Sequence, residues 1–516
     1  MIRFLKEHTL IAGTLLLTAA GFLTRVLGFF YRIFLSRAIG AEGLGLYNMV
    51  HPVYGICFSL CAGSIQTALS RFIAANARKS KTVFRTALLI SFCLSLLLAF
   101  LICRFSLPLA RYVLLEESCA GLLPFMALSI PFSAVHACIN GYYYGMRRTL
   151  VPASSQIAEQ TIRMGAVFLI ADILTEQGAP LTVELAAAGH LIGEIASCLY
   201  TAAWFCLFSP SGHLEEEHSG IGRSFLASLR SSAAAFRETA APLMTLALPL
   251  MGNRLILNLL GSAEAVWIPD RLSASGLTSQ EAFEVYGVLT GMAMPFIFFP
   301  SAITNSMAVL LLPDVAQAQA DGKRDRIART ISMSMRYSLY MGILCIGVFT
   351  WFGPQLGAGV FHNAASGTFM QILAWLCPFL YLSSTAGSIL NGLGQTRITF
   401  LHNTAALLLR LVFVLAGIPR FGITAYLWGM LASELFLTAL HLGALRRRIP
   451  FSWDPWNMIL KPAALLVISA GLVRFLLGKS AFLPLLSPFF SAAFQIALLT
   501  LCYGGLLLLF HRSGRA

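Results

Sequence analysis

Apolar runs of about 20 residues or more recur from one end of the chain to the other, and nothing else in the sequence constrains the fold as tightly. A run of that length crosses the ~30 Å hydrocarbon layer as a helix, whereas a barrel strand needs about 9 to 11 residues and alternates in polarity. The runs centre near Leu17, Leu60, Leu96, Ser133, Ala166, Ser197, Leu250, Phe299, Cys345, Phe379, Leu409, Gly429, Ala470 and Leu498. They predict an all-α polytopic membrane protein of about 14 transmembrane helices. Composition agrees, because 57% of the 516 residues are hydrophobic and only 11% are charged, too few to cover a soluble surface.

A net charge of +14 would point a soluble chain toward nucleic acid, but here the basic residues gather in alternate loops. Of 36 lysines and arginines, 23 fall on the side that holds both termini and 7 on the other. The first group includes Arg78, Lys79, Arg147, Arg148, the Lys323 to Arg336 cluster and Arg446 to Arg448. The positive-inside rule then puts both termini in the cytoplasm, with anionic membrane lipids and not nucleic acid as the charge partner. The first apolar run follows Arg3 and Lys6 but lacks a small-residue cleavage site, so it reads as an uncleaved span.

Six arginines remain inside apolar runs: Arg25, Arg32, Arg71, Arg163, Arg254 and Arg410. Each costs about 2.5 to 3.5 kcal/mol at the centre of a membrane helix, so such residues face a bundle interior or a hydrated cavity. Gly21, Arg25, Gly28 and Arg32, spaced four, three and four apart, share one stripe of the first helix. Arg71 lies toward the end of the second span, where snorkelling suffices.

The chain also repeats itself. LTRVLG around Arg25 matches GNRLIL around Arg254, and Tyr47 in its motif matches Tyr286. Asn140–Gly141 recurs as Asn391–Gly392, Gln156 and Arg163 recur as Asn403 and Arg410, and Gly193–Glu194 recurs as Ser433–Glu434. The matches are collinear, so the expected plan is two pseudo-symmetric six-helix lobes, 1–208 and 240–448, joined by a cytoplasmic linker, 209–239. Two accessory helices occupy 449–516. The linker carries Glu215, Glu216 and Glu217, then Arg223, Arg230 and Arg237 at intervals of seven, which fits a basic surface helix or a solvated connection.

Arg25, Arg32, Arg254, Arg163 and Arg410, with Asn258 one turn after Arg254, are the candidate substrate-binding residues. Glu159 stands four residues before Arg163, the spacing of a simple helix ion pair, and is otherwise a candidate for ion coupling. Glu194 and Glu434 have no cation within a turn, so interhelical pairing or ion coupling by proton or sodium remain open to them. His51, His136, His190 and His402 lie in or near spans and serve either packing or proton relay. Pro52, Pro131, Pro249, Pro295, Pro300 and Pro378 kink or break helices. The eleven cysteines are scattered without CxxC spacing, and no metal-ligand pattern, nucleophile and base arrangement or nucleotide-binding loop appears. The chain is therefore read as no enzyme and no cofactor protein, driven by Na+, H+ or the membrane potential.

The stretches TRVLGFFYRIFLSRAIGAEGLGLYNMVHP, AEQTIRMGAV and EVYGVLTGMAMPFIFFPSAITNSMAVLLLPDVAQA resemble the polysaccharide-export and lipid II flippase branch of the MATE-like, multidrug and oligosaccharidyl-lipid exporter superfamily. That resemblance implies alternating access and an undecaprenyl-pyrophosphate-linked peptidoglycan precursor as substrate. It further implies work in spore cortex or cell-wall synthesis beside the enzymes of that process. It carries a cavity-lining role to Arg25, Arg32 and Arg254. Arginine suits such a ligand, being permanently charged and able to grip phosphate bidentately. Another lipid-linked sugar would satisfy the same residues, while a multidrug or cation antiporter would want an acidic or aromatic lining instead.

Overall fold

The structure, a computed structural model, describes residues 9–75, 80–208, 225–477 and 488–512; the linker acids Glu215 to Glu217 and Arg223 lie outside them. Those residues are mostly helical, with short turns between the helices and no strand among them. Among the described residues, twelve helices are long and apolar enough to cross a membrane. Among them are α1 (Thr9–Ala38), α2 (Gly40–Ala75), α3 (Ser80–Arg104) and α4 (Leu123–Gly145). Next comes α5 (Leu150–Glu176), which is long enough but carries Glu159, Arg163 and Asp172, so its hydropathy is diluted. After α6 (Glu184–Phe208), α7 (Phe225–Ala274) is one continuous helix of 50 residues, so the stretch from 225 to 239 joins the seventh span without a break.

The eighth segment, α8, covers 279–320 and is broken where a turn at Phe299 and Pro300 separates Met294–Phe298 from Ser301–Ala320. Proline has no N–H to continue the ladder, which is why the break falls there. A capping box starts this segment, with Thr278 accepting from Glu281 N and Glu281 accepting from Thr278 N. Then follow α9 (Arg324–Phe361), α10 (Ala364–Gly392), α11 (Thr396–Phe421), α12 (Ile423–Arg446), α13 (Trp456–Leu477) and α14 (Pro488–Arg512).

The helices gather into two compact units. One takes the chain up to Gly28 together with Leu46–Val266, and the other takes Phe29–Gly45 together with the chain from Trp267 onward. In the first, Leu69, Ile73, Phe84, Tyr142, Tyr143 and Met251 form a core where α2, α3, α4 and α7 meet. Lipid is as apolar as leucine, so close packing must hold these helices together. Gly141 and Gly145 provide it: a Cβ there would stand 2.8 Å from Gln66 O and 2.9 Å from Ser70 O, so α4 rides directly on the backbone of α2.

In the second unit, α9 is the hub. Its amino-terminal half packs with α10 and the end of α12 through Ile331, Met335, Leu382, Ile389 and Leu445. Its other half holds the accessory pair, with Ile343 against Leu465, Leu466, Leu499 and Tyr503.

Candidate functional site

In the first unit the polar residues converge on α2. This helix opens into a π turn at Ser59–Gly63, a local loosening that leaves carbonyls without their usual partners and often marks functional sites. Asn258 of α7 takes advantage of it, its Nδ2 donating to Gly55 O at 3.2 Å and to Ser59 Oγ at 2.5 Å. One turn earlier, Arg254 Nη2 donates to Thr67 Oγ1 at 3.1 Å, and its Nη1 fills the space that a side chain at residue 63 would need, since a Cβ on Gly63 would approach it to 2.5 Å. The expected stripe of Arg254 and Asn258 is thus a real face of α7 laid on α2.

Arg25 projects from α1, exposed, and forms no hydrogen bond or ion pair among the described residues. Three residues on, Gly28 lies against α5, where its Cβ position is 3.6 Å from Gln160 Nε2. Arg163 bonds the same Gln160 through Nη1 at 3.5 Å and pairs with Glu159 through Nη2, forming the i,i+4 ion pair that the spacing predicts. Its guanidinium rests on α6 at Gly193, where a Cβ would come within 2.6 Å of Nε.

Glu194, only 5% exposed, is satisfied across three helices. Tyr54 of α2 donates to Oε1 at 2.8 Å, Ser133 of α4 donates to Oε2 at 2.7 Å, and His136 Nε2 lies 2.9 Å from Oε2. Asn140 Nδ2 stands 3.5 Å from His136 Nδ1, which favours the tautomer with its proton on Nε2. His190 packs edge-on against Tyr54 at 4.5 Å and against His51 at 5.5 Å. Of the two roles open to Glu194, interhelical bonding is therefore present.

The second unit repeats part of this plan. Glu434 of α12, 6% exposed, accepts a hydrogen bond from Ser383 of α10, just as Glu194 accepts one from α4. Arg410 Nε donates to Ser433 Oγ at 3.2 Å, matching Arg163 on Gly193 in the positions that the repeat pairs. His402 faces His441 with ring centres 5.2 Å apart. Arg32 also belongs to this unit, where it is exposed and its Nη1 donates to Thr290 O at 3.3 Å in a second π turn, Val288–Ala293. Arg37 caps Val360 O with two bonds of 3.1 and 2.8 Å. Arg71 is exposed near the end of α2, and the side chains of Arg230 and Arg237 are not among those described.

Sequence reasoning overlooked Tyr54, Ser133, Ser59 and Thr67, whose hydroxyls complete these networks, and Glu264, a buried carboxylate 8% exposed. Ser133, His136 and Asn140, spaced three and four apart, form a polar stripe on one face of α4 that could have been seen.

Residues 10–319 match the family model described as polysaccharide biosynthesis protein, and residues 268–415 match the MatE model. Stage V sporulation protein B of Bacillus subtilis (strain 168) is 27% identical over 461 residues, covering 87% of this chain and 86% of that protein. Lipid II flippase MurJ of the same organism is 20% identical over 496 residues, covering 89% and 86%. A solved structure of lipid II flippase MurJ in an inward closed conformation superposes with a TM-score of 0.72 at 14% identity, covering 97% of this chain and all of that one. An inward-facing multidrug resistance MATE transporter gives 0.60 at 12% identity, covering 84% of this chain and 98% of the other. This chain is a multi-pass membrane protein with the fold of those solved structures, and it belongs to the polysaccharide biosynthesis protein family.

Proposed function

We propose that this protein is a flippase that carries an undecaprenyl-pyrophosphate-linked peptidoglycan precursor of the lipid II type across the bacterial cytoplasmic membrane. In this reading both termini are cytoplasmic and transport follows alternating access. The observation that carries the proposal is the state of Arg25 and Arg254: both lie in membrane-spanning helices and neither forms an ion pair among the described residues. A cation at that depth costs about 2.5 to 3.5 kcal/mol unless met by an anion, and a pyrophosphate supplies one with oxygens that suit bidentate guanidinium bonds. Arg32, Asn258, Arg163 and Arg410 are the further binding candidates. Arg163 is already partly neutralised by Glu159, which would keep the grip on substrate weak enough for release.

Transport needs a drive, and the buried Glu194–His136 pair is our candidate for a proton-coupling site, ahead of Glu159 and Glu434. The sporulation relative supports a place in spore cortex or cell-wall synthesis, with enzymes of that process supplying and consuming the substrate. A second reading, export of another lipid-linked sugar, is favoured by the polysaccharide family match over 10–319.

The test is movement of fluorescent lipid II across vesicles that contain the purified protein. Wild type should flip it well above empty vesicles, and Arg25→Ala and Arg254→Ala should each lose most of that rate. Equal rates in wild type and empty vesicles would overturn the proposal. Wild-type flipping of a different undecaprenyl-pyrophosphate sugar, but not of lipid II, would select the second reading.

A further inference from the structure

A groove of about 800 Å³ lies in the second unit, lined by α9, α14, the segment 450–452 and the part of α8 near Thr304. Its chemistry changes along its length. Arg329 and Arg336, seven residues apart, share one face of α9 at one end. Two turns further along the helix the lining becomes Met341 and Leu344, faced by Leu507 and Leu508 of α14. From Arg329 to Leu344 is fifteen residues, roughly 22 Å of helix, or about a headgroup plus half of a ~30 Å hydrocarbon core.

The cationic end is short of partners. Arg336 Nε is buried and has no hydrogen-bond partner among the described residues. Arg329 Nε donates to the backbone carbonyl of Asp325 at 3.4 Å and has no other hydrogen bond among the described residues. Asp454 feels the Arg336 charge, but its oxygens are taken by Asn457 N at 3.2 Å and Asn457 Nδ2 at 2.6 Å. Those bonds hold the Asp454 carboxyl below its ordinary range. On the groove wall, Ser332 donates to Ser452 O at 3.1 Å, tying the 450–452 segment to α9.

We infer that this groove is a binding site for an anionic glycerophospholipid, with the phosphate on Arg329 and Arg336 and an acyl chain along α9 and α14. A free phosphate or a soluble anion would leave the apolar part empty, and a neutral lipid would leave the guanidinium of Arg336 unmet. Charge asymmetry places the Lys323 to Arg336 cluster at the cytoplasmic face, where anionic lipids attract basic groups. The groove shares no lining residue with the candidate substrate-binding residues, so the inference goes beyond the flippase reading and does not depend on it.

The test uses the full-length protein purified in detergent, with lipid retention read by native mass spectrometry and melting temperature as a second readout. Phosphatidylglycerol should be retained and should raise the melting temperature, while phosphatidylcholine should do neither. The double variant Arg329→Gln with Arg336→Gln should bind phosphatidylglycerol about tenfold more weakly. A matched loss of two exposed cations, Arg148→Gln with Arg397→Gln, should leave binding unchanged and exclude general surface attraction. Gly504→Trp offers an independent route, because Gly504 lines the groove and a Cβ there meets nothing within 4 Å. That variant should fold as wild type and lose the lipid. Equal retention of both phospholipids, full binding by the Arg329/Arg336 double variant, or stabilisation by undecaprenyl phosphate but not phosphatidylglycerol would each overturn the inference.

Discussion

His136 Nε2 lies 2.9 Å from Glu194 Oε2, joining α4 to α6 through a histidine and a carboxylate that are both withdrawn from solvent. Tyr54 and Ser133 each donate a further hydrogen bond to the carboxylate. A pair built this way can gain or lose one proton with little rearrangement, because the donors serve a carboxylate whether the imidazole is neutral or charged.

Replacing Glu194 by Gln keeps the shape but turns an amide donor toward Ser133 or Tyr54. A stability loss of about 1 to 3 kcal/mol is expected for such a mismatch. The functional expectation is sharper: Glu194→Gln should still bind labelled lipid II, yet its flipping rate should stop responding to an imposed pH gradient. Vesicles prepared with and without a gradient measure this directly. A Glu194→Gln protein whose rate still rises with the gradient would remove the proton role.

Arg163 and Gly193 make a second prediction. The Cβ of any larger residue at 193 would fall 2.6 Å from Arg163 Nε, and the guanidinium, being the far end of a flexible chain, would swing away. Gly193→Val should therefore separate Arg163 from Glu159 and slow lipid II flipping by about tenfold, with little change in melting temperature. Gly193→Ser displaces the guanidinium too, but its hydroxyl offers an acceptor of the kind that Ser433 gives Arg410 Nε at 3.2 Å in the second unit, so its rate should fall clearly less than that of Gly193→Val. Equal defects in both variants would show that the match between the two halves is not functional.

The crossing of α2 and α8 makes the third. A Cβ on Gly287 would lie 1.8 Å from Ala41 O, and one on Gly45 would lie 2.3 Å from Phe283 O. Both obstacles are backbone and neither can turn aside. Gly287→Ala should lower stability by about 1 to 3 kcal/mol or more, seen as a reduced melting temperature in detergent. Gly471→Ala serves as the contrast: nothing stands within 4 Å of its Cβ, and alanine in a helix interior is favoured over glycine by about 0.5 to 1 kcal/mol. Its melting temperature should rise or hold.

Span length and residue period made much of this architecture readable beforehand. Thirteen of the fourteen apolar centres fall within helices, and the other, Phe299, falls at the break in α8. Arg163 with Glu159 was readable too, since partners four residues apart on one helix need no tertiary information. The repeat likewise pointed to Glu194 and Glu434 as equivalent positions, and each does accept a serine hydroxyl from another helix.

What the linear chain could not disclose were partners brought together by packing. Tyr54 and Glu194 are 140 residues apart, and Asn258 and Ser59 are 199 apart, so no local period links them. Serine, threonine and tyrosine carry no charge to betray a role, and a π turn such as Ser59–Gly63 has no composition of its own. The sequence by itself determined that the chain crosses a membrane many times as helices, because only an apolar helix of about 20 residues meets the bilayer's demand for internally bonded backbone. Tertiary structure alone decided which buried charges are neutralised. A carboxylate such as Glu194 is satisfied by whichever helices pack against it, whereas Arg25 has no such neighbour among the described residues.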